Sequence, residues 1–74
     1  MYRAMLLDHL EKARTQCAGG AQVIAHQRKL VAELAKVGHT THDAQDLLKQ
    51  FKSLQRMHLA HVRRLERELA ENAD

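Results

Sequence analysis

An apolar residue returns every three or four positions along this chain, in two runs of about thirty residues separated by one short break. The first run reads Leu6, Leu10, Ala13, Cys17, Gly20, Ile24, Gln27, Val31, Leu34, and the second Ala44, Leu48, Phe51, Gln55, His58, Val62, Leu65, Leu69. Alternating steps of three and four place such residues on one stripe of a helix, the seam along which two helices lie together. No proline interrupts either run. The pattern therefore predicts an all-α chain, a long antiparallel two-helix hairpin of coiled-coil type. Helix 1 is expected over about residues 3–37, the turn over 38–40 and helix 2 over about 41–71, making residues 1–74 a single domain.

The break carries a stop and a start. Gly38 suits the left-handed position that ends a helix, and Thr40 suits an N-cap with Asp43 three residues on. A hairpin closing at Thr40 sets Val31 against Phe51, Ile24 against His58, Gly20 against Val62 and Cys17 against Leu65. It also sets Gln27 against Gln55, a polar layer of the kind that fixes register. Asp8–Lys12, Lys29–Glu33, Arg64–Glu68 and Arg67–Glu71 are spaced to pair on exposed helix faces.

Gly19-Gly20 admits another architecture. Two glycines inside a helix cost about 2 kcal/mol relative to alanines, enough to suggest a turn and a three-helix bundle. Against this, Ala13, Cys17, Gly20 and Ile24 keep the three-four count without a slip. That continuity favours one helix through the pair.

Seventy-four residues with two aromatic side chains make a thin core. A core of this size supplies roughly 3–5 kcal/mol at best, and small folds commonly add disulfides, metal or self-association. The single Cys17 excludes a disulfide within the chain. Association is the remaining expectation, and helix 1 has apolar surface for it: Met5, Val23, Leu30 and Val37 form a flank beside the seam. A homodimer through that flank would be a four-helix bundle. Ala18, Ala21, Ala25, Ala32 and Ala35 line the other flank, as the best helix formers commonly do.

The net charge is +3. Lys49, Lys52, Arg56, Arg63 and Arg67 fall on one line of helix 2, away from its seam, forming a cationic ridge ~27 Å long. Such a ridge suits a nucleic acid or another polyanion, although no aromatic residue stands among the cations to stack on bases. Six histidines raise a metal reading. His58 and His61 share a helix face, but two imidazoles stand two ligands short of a structural site, and no Glu-x-x-His pair occurs. Neither a phosphate-binding loop nor an enclosed pocket is expected, so the residues indicate no enzyme and no cofactor. No leader and no membrane span are expected, since Met5-Leu6-Leu7 is followed at once by Asp8. With one seam cysteine, a reducing cytoplasm is the expected compartment.

The segments His26-Gln27-Arg28-Lys29-Leu30-Val31-Ala32-Glu33-Leu34 and Gly38-His39-Thr40-Thr41-His42-Asp43-Ala44, with Leu47-Leu48, Phe51, His58, His61, Arg63 and Leu65, resemble a group of short uncharacterised hypothetical proteins of proteobacteria. The resemblance spans Leu10 to Leu69, rests on helix and turn signals, and implies a helical hairpin from a bacterial source with no known activity. The expected function is a non-enzymatic structural or protein-interaction module that self-associates through helix 1. Polyanion binding is the alternative, and His-mediated metal binding a third reading.

Overall fold

The computed structural model describes residues 2–72 and contains two α-helices packed against each other, with no strand among those residues. Helix α1 spans Tyr2–Lys36 and helix α2 spans His42–Glu71. Together they form a rod whose Cα trace measures 58 × 14 × 12 Å. Neither helix is long and apolar enough to cross a membrane.

Helix α1 runs unbroken through Gly19-Gly20, so the three-helix alternative is not the structure. The reason lies across the seam. A side chain at Gly20 would overlap the carboxamide of Gln55, whereas Gly19 faces open space. Gly20 is the point at which α2 sends a polar side chain up to the α1 backbone. There Gln55 Nε2 donates to the Cys17 carbonyl at 2.7 Å.

The seam positions are those the spacing predicts. Leu6, Leu10, Ala13 and Gln27 are buried in α1, and Cys17, Gly20, Ile24, Val31 and Leu34 are half-buried; every other described α1 residue is exposed. In α2, Leu65 and Leu69 are buried, and Ala44, Leu48, Phe51, Gln55, His58 and Val62 are half-buried.

The register differs from the one expected. Gly20 lies against Gln55, seven positions before Val62, and Cys17 also meets Gln55 rather than Leu65. Gln27 does not face Gln55; its Nε2 donates to the Ala44 carbonyl at 2.9 Å. The facing pairs built on a closure at Thr40, Val31 with Phe51 and Ile24 with His58 included, are thus displaced by about two helical turns.

The turn explains the displacement. Gly38, with φ +79°, takes the left-handed position. Its N–H bonds the Ala35 carbonyl at 3.1 Å, and the His39 N–H bonds the Leu34 carbonyl at 3.0 Å. This paired pattern is a Schellman motif, which turns the chain back along the helix just left. Reversal is therefore centred beside Gly38, not at Thr40, and α2 starts below the tip of α1. The N-cap of α2 is Thr41 in place of Thr40, and it makes no side-chain capping bond. Its Oγ1 instead accepts from Gln45 Nε2 at 3.0 Å. Asp43 remains in the first turn, beside the positive end of the helix.

Gln27 and Gln55 act as reciprocal clasps, each donating from one helix to a backbone carbonyl of the other. Buried amides without partners are unfavourable, so these bonds penalise a slipped register more than they stabilise the correct one. At the open end, Tyr2 Oη donates to Glu68 at 3.1 Å and Arg3 Nη1 donates to the Leu69 carbonyl at 3.3 Å. The Glu68 carboxylate, through this hydrogen bond and its charge, raises the Tyr2 phenol above its ordinary value. Of the four spaced ion pairs expected, Asp8–Lys12 forms at 2.9 Å. Arg64 turns to His61 instead; Arg14 pairs with Glu66 across the helices, and within α2 the His42 imidazole lies 3.3 Å from the Asp46 carboxylate.

The packing is unevenly distributed along the rod. Every buried apolar residue, Leu6, Leu10, Ala13, Leu65 and Leu69, lies in the half that holds the helix ends remote from the turn, with Val62 packed against them. In the turn half the sole buried side chain is that of Gln27, which is polar.

Candidate interface on the turn half

The half-buried seam of the turn half has a counterpart on its surface. Val23, Leu30 and Val37 of α1 and Leu47 and Leu54 of α2 are between 40 % and 68 % exposed. Val23 and Leu54 border the same groove of about 230 Å³, whose other walls are Gly20, Phe51, Gln55 and His58. The α1 flank thus continues across the seam onto α2, giving one apolar face two helices wide. Contiguous apolar surface of this kind marks association sites in soluble proteins.

Of the four flank residues read from the sequence, Val23, Leu30 and Val37 stand together on this face. Met5 does not join them. It lies at the opposite end of α1, exposed, and the same flank between them is polar: His9, Lys12, Gln16 and His61 line a shallow groove there. The α2 contribution is the part that sequence reasoning missed. Leu47 and Leu54 stand seven residues apart, one helical repeat, but sit just outside the apolar stripe of α2. Only the position of α1 beside them makes them part of a face.

The cationic ridge occupies another side. Lys49, Lys52, Arg56, Arg63 and Arg67 lie roughly half a turn round α2 from Leu47 and Leu54. Lys52 is half-buried and the other four are exposed. Arg56 Nη2 donates to Ser53 Oγ at 3.0 Å, and Arg63 and Arg67 border a shallow depression with Ala60, Glu66 and Ala70. Among the described residues none of the five is paired with a carboxylate; Glu66, which borders the same depression as Arg63 and Arg67, is engaged by Arg14 at 3.2 Å.

The histidines are dispersed. His58 is half-buried at the groove edge, where its Nδ1 lies 3.4 Å from Gln55 Oε1. A proton on Nδ1 would extend the chain of bonds that begins at the Cys17 carbonyl. His61 is exposed and its Nδ1 accepts from Arg64 at 3.0 Å. The structure therefore gives His58 and His61 different neighbours, and no group of three His, Cys, Asp or Glu side chains suited to a metal ion occurs among the described residues. Cys17 sits half-buried in the seam.

No protein-family model matches this chain, and comparison with curated proteins and with solved structures likewise finds no match.

Proposed function

We propose that this protein is a non-enzymatic interaction module of a bacterial cytoplasm, whose hairpins self-associate through the turn-half face into a homodimeric four-helix bundle. The supporting observation is the split between the two halves of the rod. One half fully buries leucines between its helices; in the other only Gln27 is fully buried, Ile24, Val31, Leu34, Leu48 and Phe51 are half-buried in the seam, and Val23, Leu30, Val37, Leu47 and Leu54 face solvent. Burying an exposed leucine or valine contributes about 1.5–3 kcal/mol at full burial, so covering this face adds stability comparable to that of the isolated core. The assembled dimer leaves its charged faces free to engage another protein. Its grooves are open and shallow, without the enclosure that catalysis favours.

Light scattering on purified protein tests the reading. A dimer is expected at high micromolar concentration, and a single species of 8.5 kDa would overturn it. Leu30→Glu should abolish the dimer, since it desolvates a carboxylate in an apolar interface, while leaving helical circular dichroism intact.

A second reading rests on the cationic ridge, which lacks carboxylate partners. Binding of duplex nucleic acid along Lys49, Lys52, Arg56, Arg63 and Arg67 would weaken steeply with salt, because each neutralised phosphate releases condensed counterions. Gel retardation at low salt checks it. Arg56→Glu and Arg63→Glu should each reduce binding several-fold, and no retardation by the unaltered protein would exclude this reading.

A further inference from the structure

The exposed residues of α1 in the turn half follow a seven-residue repeat, Val23, Leu30 and Val37, which is symmetric about Leu30. A helix stripe with a centre of symmetry can pair with itself. Val37 is the most exposed of these, at 68 %, and projects beside the turn. The groove walled by Gly20, Val23, Phe51 and Leu54 is an apolar recess with no occupant from its own chain.

Resting on the self-association proposed above, we infer that a second copy docks antiparallel, α1 on α1, about a two-fold axis passing beside Leu30. In this arrangement Leu30 meets the partner's Leu30, and Val23 lies level with the partner's Val37. The Val37 side chain of each copy enters the groove of the other, packing on Val23, Phe51 and Leu54. Knob and recess belong to the same surface, as an isologous interface demands.

Charge selects this arrangement over its rival. His26, Lys29 and Glu33 line the outer rim of α1 beside Leu30, with Lys29 turned furthest from the apolar flank. The antiparallel axis brings His26 level with the partner's Glu33, and Glu33 level with the partner's His26, where each imidazole can donate a hydrogen bond to the facing carboxylate. The rival two-fold runs along the helices and stacks both turns at one end, α1 on the partner's α2. Given the observed register, it sets Glu33 beside the partner's Asp43. These two carboxylates are like-charged neighbours, which disfavour association. It also leaves Val37 beyond the start of the partner's α2, touching nothing. The antiparallel axis instead overlaps only the turn halves, so the polar flank of His9, Lys12, Gln16 and His61 projects clear at each end.

Single cysteines in a Cys17→Ser background distinguish the two. Leu30→Cys lies on the axis and should form an inter-chain disulfide rapidly under mild oxidation. Val23→Cys, whose two copies would stand ~20 Å apart along the helices, should not. Glu33→Lys should weaken the dimer about tenfold, and adding His26→Glu should restore it. If the unaltered protein is a dimer but Leu30→Cys stays unlinked, or links no faster than Val23→Cys, this docking geometry is wrong while self-association stands. If the unaltered protein is a monomer, both proposals fail.

Discussion

Leu10→Ala should unfold most of the chain at room temperature. Leu10 is 5 % exposed and packs in the cluster of Leu6, Ala13, Leu65 and Leu69. Leucine-to-alanine changes at such sites destabilise by about 2–5 kcal/mol. A core of this size supplies roughly that much in total. Ile24→Ala is the informative comparison. Ile24 occupies an equivalent seam position, yet it is half-buried in the turn half, and its loss should cost about 1 kcal/mol. Urea unfolding followed by circular dichroism, in protein dilute enough to be monomeric, separates the two. Equal midpoints would show that the packing is uniform along the rod, contrary to the burial seen here.

The adjacent glycines should respond to the same substitution with opposite signs. Gly19→Ala should stabilise the hairpin by about 0.8–1.0 kcal/mol, because alanine is the better helix former and the added methyl meets only solvent. Gly20→Ala gains the same propensity but places its methyl against Gln55, with the side-chain Cδ only 2.9 Å away. Gln55 is a flexible side chain and can swing aside. Doing so breaks its bond to the Cys17 carbonyl and frees His58 Nδ1 of its partner. A lost bond to a part-buried amide amounts to about 1–3 kcal/mol, so a net loss of roughly 1 kcal/mol is expected. Adding Gln55→Ala to Gly20→Ala should recover part of the deficit, because the displaced amide is then absent. If Gly20→Ala is as stabilising as Gly19→Ala, the Gln55 clasp contributes nothing to stability.

Much of this was legible in the residues. The seam is a property of spacing alone: the nine α1 positions at three-four steps, eight of them apolar or small and the ninth Gln27, are buried or half-buried, and their phase carried the helix through two glycines. Gly38 at the helix end was equally legible, since few residues tolerate its backbone angle. The pairing between helices was not. Residues 37–41 link α1 to α2, and from sequence the centre of so short a link can fall at Thr40 or at Gly38 with equal grace. A shift of a few residues there moves every facing pair by twice as much. The same uncertainty hid the second half of the candidate interface, because Leu47 and Leu54 become part of a face only when Val23 is known to lie beside them.

Periodicity by itself determined two helices, their buried stripes and an apolar surplus on the first, because each follows from the angle between successive residues along one helix. Tertiary structure alone decided the register, the crowding of the core into the end remote from the turn, and the exposed face left at the other. Those depend on how a Schellman turn, two glutamine clasps and one missing β-carbon position the helices against each other, and no single-helix pattern encodes that relation.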